Sequence, residues 1–165
     1  MISTPVAIPS PVRVELQLGD GASSLHIHLP DGANHRRELA LGVTDLVSRY
    51  LRHSPPSPLE MESAITVVED VVMPVYRELP AHARLETADA ALHGLALACG
   101  VPPAESMVWT RDALEASFNR LASVVMGSPA AQAGVPLDGT SVARLLILRE
   151  CLHHWGFDAL TVHTP

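Results

Sequence analysis

Residues 141–156, SVARLLILRECLHHWG, decide the fold of this chain because they read as its central helix. Apolar side chains that recur every three or four residues lie along one face of an α-helix. This spacing is met by a seam of apolar residues: Val142, Leu145, Leu148, Leu152 and Trp155. Leu146 and Ile147 lie beside the seam, so the helix is apolar on more than one side. Such a helix is central in a fold or lies at an interface, and we predict that it is the structural hub, ending at Gly156.

Strict alternation of apolar and polar residues predicts two half-buried strands near the N-terminus, at residues 12–18 and 25–29. The sequence Gly-Asp-Gly at residues 19–21 forms a turn between them, so the strands are expected to pair as a hairpin. Residues 37–41 predict a third strand, which would extend the hairpin to a meander. A short strand at residues 160–162 is expected to return to the hairpin.

Helical periodicity replaces the strand pattern from Val43 onward and predicts further helices before the hub. These helices span residues 43–51, 57–79, 85–99 and 110–127. Pro74 should kink or split the second of them. The predicted fold class is α+β, with an N-terminal antiparallel hairpin or three-stranded meander followed by about five helices on one face. Residues 1–11, rich in proline, are predicted to be a flexible tail, and residues 12–165 a single globular domain.

The composition limits the kinds of partner that the protein is expected to bind. Apolar residues make up 47% of the 165 residues and charged residues only 18%, so a partner is expected to cover an apolar face. A homo-oligomer, most often a two-fold dimer, is the commonest such partner. The net charge of −7 and the scattered arginines argue against nucleic acid and against an anionic membrane surface. The sequence shows neither a signal peptide nor a long apolar run, which predicts a cytoplasmic location.

The absence of lysine excludes several enzyme classes. All 11 basic residues are arginine, so the chain lacks the lysine of pyridoxal-phosphate enzymes, of the P-loop and of protein kinases. The sequence also lacks the nucleophile elbow and the dinucleotide-binding glycine pattern. Arginine in place of lysine, with abundant alanine and proline, indicates a bacterial genome of high GC content.

A candidate metal site combines the N-terminal hairpin with the hub helix. His26 and His28 alternate on one strand, so both imidazoles point to the same face. The hub helix carries Glu150 with His153 and Cys151 with His154, two pairs at a spacing of three residues. Zinc takes three or four such ligands at about 2.0–2.3 Å. If the helix crosses the hairpin, one of its pairs meets the histidine pair and binds zinc.

Each of these signals also has a purely structural interpretation. Alternating histidines on a strand commonly face water, and Cys151 near the seam is typical of a small buried side chain. Asp89 and His93 stand one helical turn apart, which suits a general base but equally a surface pair worth about 0.2–0.5 kcal/mol.

The absence of catalytic motifs favours a non-catalytic binding or adaptor protein that acts as a homodimer. The alternative is a zinc or iron protein, or a metal-dependent enzyme, that uses the cluster on the hub helix.

Overall fold

The computed structural model describes residues 11–165 and confirms an α+β fold. Its strands are β1 (Arg13–Gln17), β2 (Ser23–His28), β3 (Asn34–Leu39), β4 (Arg84–Thr87), β5 (Ser106–Thr110) and β6 (Ala159–His163). Its α-helices are α1 (Val43–Tyr50), α2 (Pro58–Val72), α3 (Ala90–Ala98), α4 (Arg111–Val125) and α5 (Gly139–Trp155). The predicted tail at residues 1–11 lies, apart from Pro11, outside the described residues.

The strands form one mixed sheet in the order β3-β2-β1-β4-β6-β5. The predicted meander is present, because β1 pairs antiparallel with β2 and β2 pairs antiparallel with β3. The parallel partner of β1 is β4, which in turn pairs in parallel with β6. The prediction that the last strand returns to the hairpin is therefore wrong, since β4 lies between them. The antiparallel strand β5 completes the sheet beside β6.

The two faces of the sheet differ in chemistry. On one face, buried apolar side chains such as Leu16, Leu25 and Leu160 join the helices in a single hydrophobic core. On the other, which we call the open face, polar side chains alternate with them and remain partly or fully exposed. The open face carries Glu15, His26, His28, Glu86 and His163. The alternation follows from the two-residue period of a strand.

Helix α5 is the hub of the helical layer, as its sequence predicts. It contacts each of the other four α-helices among residues 11–165, and ten of its residues are buried, including Glu150. Its N-cap is Asp138, whose carboxylate accepts the Ser141 N–H at 3.0 Å. Gly156 ends the helix in the left-handed conformation at φ 71°, which glycine adopts without a steric penalty.

Helix α2 begins and ends where its sequence indicates. Ser57 and Glu60 form a reciprocal capping box, in which each side chain accepts a backbone N–H of the other residue. Pro74 splits the predicted long helix, because the α-helix stops at Val72 and a 3-10 segment, Met73–Glu78, replaces it. None of the helices within residues 11–165 combines the length and apolarity that crossing a bilayer requires.

Two strands were not predicted. The helix expected at residues 85–99 is wrong in its first turn, where Arg84–Thr87 forms β4, and α3 starts only after Asp89 caps it. Strand β5 precedes α4 and inserts Met107 and Trp109 into the core. Both strands are short and bury only two side chains each, so their periodicity is weak in the sequence.

Candidate functional site

Two acidic side chains and one histidine meet between α2 and α5. Glu69 comes from α2, and Glu150 and His154 come from successive turns of α5. The His154 Nε2 lies 3.2 Å from Glu150 Oε2 and 3.5 Å from Glu69 Oε1. One ligand atom from each residue lies within 4.8 Å of the others. Carboxylate oxygens and an imidazole nitrogen at this spacing can hold either a shared proton or a metal ion.

Burial separates the three members of this cluster. Glu150 is fully buried, the His154 side chain is 19% exposed and that of Glu69 is 37% exposed. The cluster is therefore closed at Glu150 and reaches solvent at Glu69. A buried ionised carboxylate is costly unless it is paired or hydrogen-bonded.

Arg149 provides part of that pairing. Its NH1 donates to Glu150 Oε1 at 2.6 Å, and its Nε donates to Glu115 Oε1 of α4 at 3.1 Å. Partial burial acts to lower the pKa of Arg149, but its bonds to Glu150 and Glu115 outweigh that effect and raise it. The guanidinium also lies 5.0 Å from the centre of the Phe118 ring. Only one oxygen of Glu150 is used in this way.

The other oxygen of Glu150 has no hydrogen bond. Glu150 Oε2 and His154 Nε2 are both buried atoms without a hydrogen-bond partner, although they face each other across 3.2 Å. Buried polar atoms in native proteins are almost always satisfied, so two that face each other are placed to share a proton or to bind an ion.

The structure distributes the predicted metal ligands differently from the expected arrangement. Glu150 pairs with His154, one helical turn away, and the adjacent His153 is exposed. Cys151 is fully buried, and this burial, together with the Glu150 charge, raises its thiol pKa well above 9.0. A thiol with a raised pKa is a poor metal ligand or nucleophile.

The histidines of β2 lie on the open face, away from the helical layer. His28 Nδ1 is 2.7 Å from Asn34 Oδ1, and its Nε2 is 3.6 Å from Glu15 Oε2. His26 Nε2 is 3.4 Å from the Ser24 hydroxyl. The buried side chains of α5 share one core with the opposite, apolar face, so these histidines do not meet its cluster.

Asp89 serves as a helix cap in the structure. Its carboxylate accepts the backbone N–H groups of Ala91 and Leu92, at 2.8 and 3.2 Å. These bonds satisfy N–H groups that the first turn of α3 would otherwise leave free. The Asp89 carboxylate therefore caps α3 and does not orient His93 as a general base.

A second candidate site lies beyond the carboxyl ends of the parallel strands β1, β4 and β6. Open sheets of this kind bind ligands in the crevice beyond the carboxyl ends of their strands. The turn from Gly19 to Ala22 follows β1 there, and its carbonyls at Gly19 and Asp20 accept N–H groups at the start of α1. A Cβ at Gly42 would collide with the Asp20 carbonyl, so this close approach of main chain requires glycine.

A recess of about 180 Å³ opens beside this turn. It is lined by Gln17, Leu18, Gly19, Ala22, Ser23, Ser24, Arg36 and Glu38. Arg36 is exposed, and its only ion-pair partner among residues 11–165 is Glu38, at 3.9 Å. The recess thus places Gly19 and Ala22 of the turn beside one weakly paired guanidinium.

Comparisons with solved structures find the same fold in phosphatase-type enzymes. A structure described as the Aquifex aeolicus PPX-GPPA enzyme matches with a TM-score of 0.70 at 14% identity, covering 94% of this chain and 54% of that one. An exopolyphosphatase from Cytophaga hutchinsonii matches with a TM-score of 0.68 at 14% identity, covering 96% and 55%. An exopolyphosphatase-like protein matches with a TM-score of 0.63 at 16% identity, covering 99% and 58%.

These likenesses establish the fold, and this chain spans about half the length of the structures it matches. No family model and no curated protein matches the sequence. The prediction of a non-catalytic binding or adaptor protein is wrong, because the structures that share this fold are described as phosphatases and exopolyphosphatases. The predicted homo-oligomer stays a prediction, which light scattering of the purified chain can check.

Proposed function

We propose that this chain is a phosphohydrolase unit that binds the end of a phosphoanhydride chain such as inorganic polyphosphate. The observation that carries the proposal is the fold, which the chain shares over 94–96% of its length with a Ppx/GppA phosphatase and an exopolyphosphatase. The reaction would be attack of water on the terminal phosphorus, cleavage of its bond to the bridging oxygen, and release of inorganic phosphate.

The glycine turn after β1 supports binding of the terminal phosphate. It lies at the carboxyl ends of the parallel strands, and Asp20, Gly21 and Ala22 are exposed. Main-chain N–H groups in turns form concave sites that suit phosphate oxygens. The absence of a side chain at Gly21 leaves room for a phosphate to approach the backbone, because nothing lies within 4 Å of its Cβ position. The Cβ position of Gly19 is filled by the Ala22 carbonyl, so glycine there serves the turn itself.

Arg36 supplies the positive charge that the turn lacks. A planar guanidinium donates two parallel hydrogen bonds to phosphate, and Glu38 holds Arg36 only weakly. The net charge of −7 would repel a polyanion, so we expect the substrate to bind as its Mg²⁺ complex. Magnesium commonly reaches such sites already bound to substrate phosphates and takes one or two carboxylates from the protein.

Binding and hydrolysis need separate tests, because the chain spans about half of the enzymes it matches. Binding is measured by calorimetry with linear polyphosphate in the presence of Mg²⁺. We expect Arg36→Gln to weaken binding about tenfold or more, since a hydrogen bond to a charged group contributes about 1.5–3 kcal/mol. Arg52→Gln is the matched control, because Arg52 is exposed and lies outside the recess.

Hydrolysis is followed as release of inorganic phosphate from the same substrate. Phosphate release that falls in Arg36→Gln and persists in Arg52→Gln supports the proposal. Polyphosphate that neither binds nor is hydrolysed would refute it. Equal weakening by both substitutions would show non-specific attraction to arginine and would also refute it.

We also propose that the protein works in the cytoplasm, where thiols stay reduced. Cys99 and Cys151 are both free, and burial raises the thiol pKa of each. Localisation of a tagged chain in its host tests this proposal.

A further inference from the structure

We propose that Glu69, Glu150 and His154 bind one first-row divalent metal ion, Zn²⁺ or Mn²⁺, which joins α2 to α5. This site does not depend on the proposed phosphohydrolase function. It lies within the helical layer and shares no residue with the recess at the edge of the sheet.

The ligand spacing suits a small coordination sphere. Ligands at about 2.0–2.1 Å from a tetrahedral metal stand about 3.3 Å from one another. The His154 Nε2 lies 3.2 Å from Glu150 Oε2 and 3.5 Å from Glu69 Oε1, close to that separation. These two separations fit one tetrahedral ion, and the ligand atoms of Glu69 and Glu150 lie within 4.8 Å of one another.

The unpartnered buried atoms point to a ligand at this place. Glu150 is completely buried, and Arg149 occupies its Oε1 and leaves Oε2 facing His154. Oε2 and the His154 Nε2 both lack hydrogen bonds, a costly state inside a protein. A metal ion between them would satisfy both atoms at once, with neutral imidazole as the donor.

The donor set selects the class of metal. One imidazole and two carboxylates suit Zn²⁺ and Mn²⁺, whereas Mg²⁺ prefers oxygen ligands alone. The Glu69 side chain, 37% exposed, gives the ion a route from solvent. Three protein ligands with one water is a common arrangement for zinc.

The competing arrangement is a proton shared within the cluster. A protonated His154 between two carboxylates would form an ion pair with Glu150 and Glu69 without any metal. The two arrangements differ in measurable ways, since the ion pair gives a charged imidazole at neutral pH and does not respond to added metal.

The experiment uses the full chain stripped of metal and titrated with Zn²⁺, and separately with Mn²⁺ and Mg²⁺. We expect one equivalent of Zn²⁺ or Mn²⁺ to bind, with no comparable response to Mg²⁺. Tryptophan fluorescence follows binding, because Trp155 adjoins His154 and donates to the Val72 carbonyl of α2 at 2.9 Å, while Trp109 lies on β5. His154→Gln should lose stoichiometric binding, and Glu69→Gln should weaken it.

His153→Gln is the matched control, since His153 is exposed on the same turn and outside the cluster. It should bind metal as the unmodified chain does. Circular dichroism checks that each variant is folded, and where Glu150→Gln does not fold, His154→Gln carries the test.

Three results would overturn the proposal. The first is failure of the stripped chain to bind Zn²⁺ or Mn²⁺, and the second is equal loss of binding in His153→Gln and His154→Gln. The third is an NMR titration that finds His154 charged at neutral pH and unchanged by Zn²⁺, which would establish the ion pair. Binding that survives in Arg36→Gln would separate this site from the proposed phosphate recess.

Discussion

The open face of the sheet and the helical layer each hold a glutamate–histidine pair, but the two pairs differ in burial. On the open face, Glu15 and His28 lie 3.6 Å apart with side chains 46% and 32% exposed. Beneath the apolar face, in the helical layer, Glu150 and His154 lie 3.2 Å apart with side chains 0% and 19% exposed. Water reaches both members of the first pair, whereas in the second pair Glu150 is out of its reach.

This difference shows why burial, and not residue type, distinguishes a site from a surface. Exposed ion pairs contribute about 0–1 kcal/mol, because water screens the charges and competes for their hydrogen bonds. A buried carboxylate with a free oxygen has no such alternative partner. We therefore expect the histidines of the open face to tolerate substitution. Substitutions in the cluster on α5 should lower stability.

The largest expected effect is in the hydrophobic core, at a residue of α5. Leu145→Ala should lower the free energy of unfolding by about 2–5 kcal/mol, because Leu145 is fully buried and its truncation leaves a cavity. Val108→Ala is the control on the open face, where Val108 is 58% exposed, and should change stability by less than about 0.5 kcal/mol. Urea denaturation measures both. Equal losses would mean that the open face is covered in solution.

An intermediate effect is expected at the buried carboxylate. Glu150→Gln should cost about 1–3 kcal/mol, because it removes the charge that Arg149 contacts at 2.6 Å inside the protein. Glu15→Gln on the open face should cost no more than about 1 kcal/mol. Denaturation of both variants in metal-free buffer makes the comparison. A Glu150→Gln variant as stable as the unmodified chain would contradict a buried charged carboxylate.

The smallest effect concerns the Glu60 carboxylate at the start of α2, whose side chain is 13% exposed. The Ser57 backbone N–H and the His53 side chain lower the pKa of Glu60 from 4.5 to about 2. A lowered folded-state pKa stabilises the protein above the unfolded pKa and loses that effect as pH falls toward about 2. Glu60→Gln keeps a capping residue but cannot titrate.

Thermal denaturation between pH 7 and pH 2 tests this expectation. The stability difference between the two chains should be constant above about pH 5 and shrink at lower pH, as protonation removes the carboxylate's contribution. A difference that is independent of pH down to 2 would show that Glu60 does not titrate in this way.

Local periodicity predicted most of the elements correctly. The hairpin, the five helices and the break at Pro74 follow from patterns within single segments. Strand β4 does not, because Arg84-Leu85-Glu86-Thr87 is short and is followed at once by helix-forming alanines. Its pairing with β1 joins segments about 70 residues apart, and no local pattern records that contact.

The candidate metal site was predictable only in part. Glu150 and His154 belong to the cluster that the sequence identified on the hub helix, although the structure pairs them with each other and not with their expected neighbours. Glu69 was missed, because it lies on α2 among polar residues that read as a solvated face. The recess beside Arg36 was missed as well, since it depends on how β1, β2 and β3 align.

The sequence by itself determined the α+β class, the hub helix and the alternation that separates the apolar face of the sheet from the open face. These follow from spacing along the chain, which sets the direction of each side chain within its own element. Only the tertiary structure decided the parallel insertion of β4, the approach of Glu69 to α5 and the isolation of His26 and His28 on the open face. Those depend on hydrogen bonds and packing between distant segments, which form only when the whole core assembles.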